Sequence, residues 1–587
     1  MSNHSTPRPT GDAQVVELAS RRETSIAFQR LESALPAGKP VEQIIAILDR
    51  DDAEDYIKTI PAHTFFHLIK DAGFDQGMDL IPYASPEQLQ VFVDLDCWRK
   101  DTLDIRRLAP WLAVMVTDAD DEHFHKAFRE LDPEVVALFF KKNFPFVDVI
   151  ESEDDLVDLP ENAVLSPDNA YALVYPEDED MAALLRAIVD RLYEVDQALA
   201  WTLFEAVRWE LTAPMEETAY KFRTSRLEEF GFVDRIEALQ VYASINAVKL
   251  RSTWEEGRLQ AKPVLEPPEL LDLPAVVRDS VEREYFFFQA LDTIEDPALA
   301  SNLIAELAAL HNRTMVADGI EPGEIETGHE VVRRTTGFLS LGLEFFSRAN
   351  LETAHTVLET LSLITLFQVG YSITTNLQKK AKSLTQRPTL SLVEGVPFSL
   401  LNADDAAIFE GLTDLRPTYA EDRHTFDIFH RQAQVDTAAL RLGLVAFKQL
   451  WLFGVVGKTV EELAPFVYEG LLLNEPDMVS FDVFFATALS THLLHQEPAL
   501  RGLTANELRV LPEALRAQPW GEDPIGFFEP LIGPILIELP AATTGLATRW
   551  LKETLDWLTD ELAMVTDYIG PEPFLELVLV AHPAHSG

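Results

Sequence analysis

Prolines recur in the first quarter of the chain, each a few residues ahead of an apolar segment. The dipeptides that contain them are Ile60-Pro61, Ile81-Pro82, Ala109-Pro110 and Asp132-Pro133, about twenty to thirty residues apart. Proline has no backbone N–H and is disfavoured inside helices, so this recurrence fits a series of helix–turn units. The spacing therefore predicts short stacked helices, with repeat-like superhelical character in the N-terminal part.

Two of these segments carry strong helix-start signals. Ser85 supplies an N-cap hydroxyl, Pro86 stands at the first helical position, and Gln88 completes a capping box. Asp132 supplies a capping carboxylate ahead of Pro133, and an acidic first turn suits the helix dipole. Both signals predict helices that begin at the proline.

The segment 146–177 lacks this helical pattern. Val147–Ile150 has the character of a single strand, and Ala163–Leu165 and Tyr171–Tyr175 flank a turn that contains Pro-Asp-Asn. An isolated hairpin is marginally stable in water, so we expect this one to pack against helices. The predicted fold class is mainly α: a multi-domain helical array with a superhelical repeat-like N-terminal part and a small β-hairpin insertion.

The chain has 587 residues, more than one hydrophobic core usually serves. Changes in composition and runs of proline indicate where it divides. We expect a disordered tail at 1–14, a helical-repeat domain at 15–145, a β-hairpin element at 146–177, a central helical domain at 178–262, a proline-rich linker at 263–274, a helical domain at 275–385, an extended connection at 386–403 and a C-terminal helical domain at 404–587.

The chain carries 48 Lys and Arg residues against 97 Asp and Glu residues, a formal charge of −49. Such a surface repels phosphate, so neither nucleic acid nor an anionic membrane surface is an expected partner. The single cysteine, Cys97, excludes an intramolecular disulfide framework. The N-terminus has no apolar signal-peptide segment, which favours a cytoplasmic location.

The longest uncharged run, residues 360–378, is long enough to raise the question of a membrane span. It contains polar side chains, Gln368 and Asn376 among them, that lipid would leave unsatisfied. Its apolar residues recur at helical spacing. The run therefore predicts a buried helix of a soluble protein, and we expect no membrane span.

Several of the helix-start signals form a recognisable series. The Leu131-Asp132-Pro133-Glu134 step, the two Ile-Pro steps and the Ser85-Pro86-Glu87 start resemble the superhelical cytosolic N-terminal domain of bacterial magnesium transporters. The similarity covers about a hundred residues, and no transporter-like membrane region follows it. The resemblance implies a stacked helical fold and does not imply transport.

Three segments further along the chain form a second pattern. They are Arg226–Phe232 with Glu237-Ala238-Leu239, then Leu341–Glu344, then Phe367–Ser372. On these residues the whole chain resembles a bacterial family of unknown function. That resemblance implies the fold and a bacterial intracellular location, and it implies nothing about chemistry.

Carboxylate–x–x–His pairs are more frequent than the composition predicts. With 14 His and 97 acidic residues in 587 positions, chance gives about two such pairs, whereas six are present. On a helix this spacing places both side chains on one face, as in di-iron carboxylate bundles. The candidate metal ligands are Glu352, His355, Asp427 and His430, on the most helix-like segments, joined by His492 and His495, which are also three residues apart.

Nothing in the sequence indicates assembled catalytic or cofactor-binding residues. There is no Gly-x-Ser-x-Gly elbow. Gly454–Thr459 has the appearance of a phosphate loop, but the position that needs the first glycine is Leu452, so the loop is too short. No catalytic residue is assigned and no cofactor is expected, although a divalent metal is the alternative.

Two functions remain open from the sequence. The first is a non-catalytic cytosolic scaffold or regulatory interaction protein, whose acidic surface would bind a basic partner protein. The second is a metal-dependent enzyme or divalent-cation sensor that uses the carboxylate and histidine pairs. The sequence does not determine the oligomeric state.

Overall fold

The structure of the chain is a computed structural model. It describes residues 35–36, 38–157, 159–229, 232–259, 284–321, 324–385, 392–393, 396–397, 399–459, 461–464, 470–517, 524–538, 541–563 and 570–585. The chain divides into an N-terminal unit, residues 1–371, and a C-terminal unit, residues 372–587. Each unit is described by itself.

The N-terminal unit consists mainly of helices. Those before the β element are α1 (Pro40–Leu48), α2 (Ala53–Thr59), α3 (Ala62–Ala72), α4 (Phe74–Gly77), α5 (Pro86–Asp96), α6 (Ile105–Thr117), α7 (Asp121–Glu130) and α8 (Pro133–Asn143). Those after it are α9 (Glu179–Val195), α10 (Gln197–Trp209), α11 (Thr212–Glu229), α12 (Arg235–Ala238), α13 (Ala247–Glu255), α14 (Phe286–Asp292), α15 (Pro297–Asp318), α16 (Ile325–Ser347) and α17 (Leu351–Thr360). Helix α18 (Leu363–Thr385) contains the boundary between the units.

Both predicted helix starts are confirmed, and α5 shows why the first is effective. The Gln88 backbone N–H donates to Ser85 Oγ at 3.2 Å, and the Ser85 N–H donates to Gln88 Oε1 at 2.8 Å. The buried Gln88 amide also donates to the carbonyls of Ile57 and Ile60 at 2.8 and 2.7 Å. One capping residue therefore starts α5 and satisfies the C-terminal end of α2.

A buried ion cluster joins α5, α8 and α11. Arg226 donates to both carboxylate oxygens of Asp94 at 2.6 and 2.9 Å, and to Asp132 at 3.2 Å. Asp132 is also the N-cap of α8. Burial raises the pKa of Asp132 to about 6, although Arg226 opposes the shift. Asp132, from the predicted helix start, and Arg226, from the segment that carries the family resemblance, therefore belong to one cluster.

The β element is a three-stranded antiparallel sheet. Its strands are β3 (Phe146–Val149), β4 (Val164–Leu165) and β5 (Tyr171–Val174), in the order β3-β5-β4. Leu173 is fully buried, and the Tyr171 ring lies 5.2 Å from that of Phe204 on α10. The predicted hairpin and its packing against helices are confirmed. A second hairpin, β1 (Trp98–Arg99) with β2 (Thr102–Leu103), lacked a clear signal in the sequence.

Helices α16 and α18 cross at two glycines of the N-terminal unit. A Cβ atom on Gly342 would lie 1.9 Å from the backbone oxygen of Leu366, and one on Gly370 would lie 1.9 Å from the backbone oxygen of Phe338. Real Cβ atoms do not approach so closely, so the two helix backbones can touch only because both positions are glycine. These glycines belong to two of the segments that carry the family resemblance.

The C-terminal unit contains further helices and strands. The helices are α19 (Ala403–Thr413), α20 (Gln432–Gln449), α21 (Phe481–His495), α22 (Ala505–Ala517), α23 (Pro524–Phe527), α24 (Glu529–Glu538) and α25 (Ala541–Ala563). The strands form two antiparallel pairs, β6 (Leu392–Val393) with β7 (Val396–Pro397) and β8 (Thr418–Ala420) with β9 (Phe426–Ile428). Aromatic rings fill the core: Trp550 stacks on Phe485 at 3.9 Å and meets Trp451 edge-on at 5.4 Å.

The mainly α fold with small β insertions is confirmed. The predicted tail at 1–14 and the linker at 263–274 lie outside the described residues, and of the extended connection at 386–403 the structure describes only β6, β7 and residues 399–403. The finer domain boundaries and the repeat-like character of the N-terminal part stay predictions.

By length and composition alone, one helical segment of the described residues could cross a membrane. It is Gln432–Val455, which comprises α20 and a π-helical turn at Leu450–Val455, and half of its apolar window is buried. Helices α17 and α18 pass the same test only as a pair, bent by 115°. Core helices of soluble proteins have the same composition, so the absence of a membrane span stays a prediction.

Candidate functional site

An open cleft of about 550 Å³ lies in the C-terminal unit, where α19, α20, α21 and α25 approach one another. Acidic and aromatic side chains dominate its lining. Its ionisable and tryptophan residues are Asp404, Asp477, Asp482, Glu553, Glu576, Arg423, Arg441, Lys448, Trp550 and Trp557. Five carboxylates therefore surround three basic side chains and two indole rings.

Lys448 of α20 forms the floor of this cleft. Its side chain is only 2% exposed, and its Nζ lies 2.8 Å from Asp405 Oδ2 and 2.8 Å from Asp482 Oδ1. A lysine is rarely buried to this extent unless it is paired. The two carboxylates come from the first turns of α19 and α21, where the helix dipole favours negative charge.

Lys448, Asp405 and Asp482 form what we call the Lys448 cluster. Hydrogen bonds fix the position of Asp482 within it. The Trp550 indole N–H donates to its Oδ1 at 2.7 Å, and the Asn402 amide donates to its Oδ2 at 2.6 Å. Asn402 is also the N-cap of α19, where it accepts the backbone N–H of Asp405 at 2.8 Å. The cluster therefore joins four helices through charged and polar side chains.

The charge state of Lys448 follows from this arrangement. Burial acts to lower the pKa of Lys448, but attraction by Asp482 and Asp405 outweighs it, so the pKa lies above the ordinary lysine value. Burial raises the pKa of Asp405, and Lys448 opposes that shift. The ammonium group is charged at neutral pH, so Lys448 does not act as a general base or nucleophile there.

The rim of the cleft keeps free negative charge. Asp404 is paired with Arg423 at 2.5 Å. Asp477 and Glu576 are exposed, and neither forms a close ion pair or hydrogen bond within the described residues, although Glu576 attracts Arg423 at longer range. The half-buried Trp557 lines the same cleft. A cationic group that entered the cleft would meet carboxylates and an indole ring together.

The histidines predicted as metal ligands have other neighbours. His355 on α17 lies in the N-terminal unit together with Glu352, and its Nε2 is 2.6 Å from Thr293 Oγ1. His492 Nε2 lies 3.1 Å from the backbone oxygen of Phe527. His495 Nε2 lies 2.6 Å from a carboxylate oxygen of Glu507, twelve residues along the chain. The predicted helical placement of these histidines is correct.

The placement of the Asp427/His430 pair on a helix is wrong. Asp427 lies in β9, because residues 418–428 combine β-branched and aromatic side chains with a turn at Asp422, whose Oδ1 accepts two backbone N–H groups. His430 Nδ1 lies 3.7 Å from Asp427 Oδ2 and 3.0 Å from the backbone oxygen of Ile428.

No group of three or more His, Cys, Asp or Glu side chains in the described part of the chain is arranged to hold a metal ion. The structure does not test the six metal candidates, which stay the alternative prediction. We expect elemental analysis of purified protein to find no stoichiometric iron, manganese or zinc. Stoichiometric metal that disappears in the His355→Ala or His430→Ala variant would establish the alternative hypothesis.

The family resemblance was tested by comparison with known proteins. A model of a family of unknown function, DUF6178, matches residues 20–581. The chain belongs to this family. No curated protein and no solved structure matches the DUF6178 chain significantly. The resemblance to magnesium transporters receives no support from these comparisons and stays a prediction.

The sequence interpretation missed the Lys448 cluster, although a signal for it exists. Lys448 is the single charged residue in the segment 442–457, which is otherwise apolar or uncharged. A lone lysine in such a segment predicts a buried ion pair. The partners were not predictable, because Asp405 and Asp482 are 43 and 34 residues away.

Proposed function

We propose that this DUF6178 chain is a non-catalytic interaction protein that binds a basic segment of a partner protein in the cleft of its C-terminal unit. The observation that carries the proposal is that one cleft is lined by the exposed carboxylates of Asp477 and Glu576 and by Trp557, with the buried Lys448 fixed between two further carboxylates. Carboxylates and an aromatic face together suit a lysine or arginine side chain.

The paired state of the Lys448 cluster supports binding over catalysis. A catalytic acid or base needs a pKa near the working pH and an open path to substrate. Lys448 has a raised pKa and contacts two carboxylates. We therefore assign the cluster a structural role, in which it holds the walls of the cleft in place. A cytoplasmic location is part of the proposal, and the single, buried Cys97 is compatible with it.

The proposal predicts salt-dependent binding of a cationic peptide. We expect a lysine-rich peptide, titrated by calorimetry at low salt, to bind the full-length protein and to lose about tenfold in affinity when salt is raised toward 0.5 M, because exposed charges are screened. The Asp477→Lys and Glu576→Lys variants should each weaken binding at least tenfold, since each replaces an attraction with a repulsion.

The matched control is Asp556→Lys, a charge reversal of an exposed residue on α25 that does not line the cleft. It changes the net charge as much as the cleft variants do. Because it lies outside the cleft, it should leave the attraction between the peptide and the cleft carboxylates unchanged. Equal weakening by all three variants would mean that the peptide senses only the overall charge. That outcome, or binding that is insensitive to salt, contradicts the proposal.

A further inference from the structure

A cavity of about 360 Å³ in the N-terminal unit is independent of the acidic cleft. It lies between α11, the residues around α12, the end of α15 and the β1–β2 turn. Its charged lining residues are Lys100, Asp101, Asp234, Arg223, Arg235 and Glu321. The cavity falls in the size range of small-molecule sites.

Arg223 is the buried charged group of this cavity. Its side chain is 8% exposed, and its Nε donates to the backbone oxygen of Asp94 at 2.7 Å. Neither terminal nitrogen donates a hydrogen bond within the described residues. One of them forms a long ion pair with Glu321 at 3.9 Å, and the guanidinium lies 5.5 Å over the Trp98 ring. A buried guanidinium is costly without strong acceptors, so these donors fit an anion in the cavity.

Two further cations line the cavity without acidic partners. Lys100 and Arg235 form no ion pair within the described residues. In a chain with 97 acidic and 48 basic residues, two unpaired basic side chains beside a buried third are unexpected. The lining therefore holds three basic and three acidic side chains, whereas acidic residues outnumber basic ones about two to one in the whole chain.

The nearby carboxylates are engaged with the backbone. Glu321 Oε1 accepts the N–H of Lys100 at 3.1 Å, and Asp234 Oδ1 accepts the N–H of Ile236 at 2.8 Å as the N-cap of α12. Asp101 lies at the exposed tip of the β1–β2 turn. One oxygen of Glu321 and one of Asp234 are thus hydrogen-bonded to the backbone, and the second oxygen of Glu321 keeps a long ion pair with Arg223.

The remaining wall of the cavity is apolar. Leu227 and Phe232, from the segment that carries the family resemblance, are buried there at 4% and 6% exposure. Val316, Ile320 and Tyr220 complete this side. A ligand that fits the cavity thus needs an anionic end and an apolar body.

We propose that this cavity binds a small organic carboxylate with an apolar body. The carboxylate would meet the planar guanidinium of Arg223, whose paired N–H groups match two carboxylate oxygens. Arg235 and Lys100 stand at the mouth and add attraction, and the apolar wall receives the aliphatic or aromatic part. The inference does not depend on the proposed peptide binding, because the two sites share no residue.

The test compares a carboxylate with its neutral isostere. We expect calorimetry on the full-length protein to show 3-phenylpropionate binding at least tenfold more tightly than 3-phenylpropionamide, and more tightly than inorganic phosphate, which lacks an apolar body. Arg235→Gln and Lys100→Gln should each weaken phenylpropionate several-fold. Arg223→Lys should weaken it at least tenfold, since lysine does not form a bidentate pair.

The control is Lys221→Gln, which removes an exposed charge from the same helix outside the cavity and should leave affinity unchanged. The surface variants at Arg235 and Lys100 test the site even if Arg223→Lys is unstable. Equal affinity for acid and amide, equal weakening by Lys221→Gln, absence of binding by phenylpropionate at millimolar concentration, or tighter binding of phosphate would each overturn the inference.

Discussion

Replacing Lys448 by methionine is expected to lower the free energy of unfolding of the C-terminal unit by about 3–5 kcal/mol, because it leaves two carboxylates buried without their shared cation. Asp405 is 1% exposed and Asp482 is 17% exposed, so water does little to replace the ammonium group. Urea unfolding followed by tryptophan fluorescence measures the loss, since Trp550 belongs to the cluster.

Two comparisons separate this electrostatic effect from a general effect of substitution. Lys552→Met changes an exposed lysine on α25 and should alter stability by less than about 0.5 kcal/mol. Adding Asp405→Asn to Lys448→Met should recover part of the loss, because one uncompensated charge is removed. A loss below about 1 kcal/mol for Lys448→Met would contradict the cluster as described.

The Lys448→Met loss should also depend on pH. Without Lys448, burial raises the pKa of Asp405 in the folded state further above its value in the unfolded chain. The folded state then binds more protons, so stability rises as pH falls toward the ordinary aspartate pKa and declines as pH rises above it. The difference from wild type should therefore shrink between pH 7 and pH 4.

Gly342→Ala is expected to destabilise the N-terminal unit by about 3 kcal/mol, at the upper end of ordinary overpacking. The added Cβ would lie 1.9 Å from the backbone oxygen of Leu366, and a backbone oxygen cannot move aside as a flexible side chain can. Helices α16 and α18 would have to separate. Thermal and urea unfolding of the variant measure the loss.

The control for Gly342 is a helical glycine that has space around it. A Cβ on Gly545 of α25 meets no atom within 4 Å. Because alanine has the higher helix propensity, Gly545→Ala should stabilise by up to about 1 kcal/mol. The same substitution therefore has opposite signs at the two sites. A neutral or stabilising Gly342→Ala would show that the helices do not cross as closely as described.

The sequence predicted those parts of the fold that depend on local chemistry. Two helix starts depend on contacts within four residues: the capping box of Ser85 and Gln88, and the capping carboxylate of Asp132. Both could therefore be predicted from the sequence. The glycines at 342 and 370 were visible as members of the family pattern. The reason why glycine is needed at each position was not predictable, because the backbone oxygen that comes close to it belongs to another helix.

The candidate sites were less predictable for the same reason. Spacing of three residues placed His492 and His495 correctly on α21, but it cannot tell which chain segment faces them. Asp427 was assigned to a helix, whereas the aromatic and β-branched residues around it form β8 and β9. Arg223 and Lys448 are buried against segments that are distant in the sequence. Local sequence patterns do not predict such contacts, so neither residue could be assigned to a site from the sequence.

The most direct test of the proposed function is hydrogen exchange of the full-length protein with and without a saturating lysine-rich peptide. We predict slower amide exchange in segments 476–483 and 550–557, which line the acidic cleft, and weaker protection of both segments in Glu576→Lys at the same peptide concentration. Protection confined to other segments, or unchanged exchange at saturation, would contradict the assignment of the cleft as the binding site.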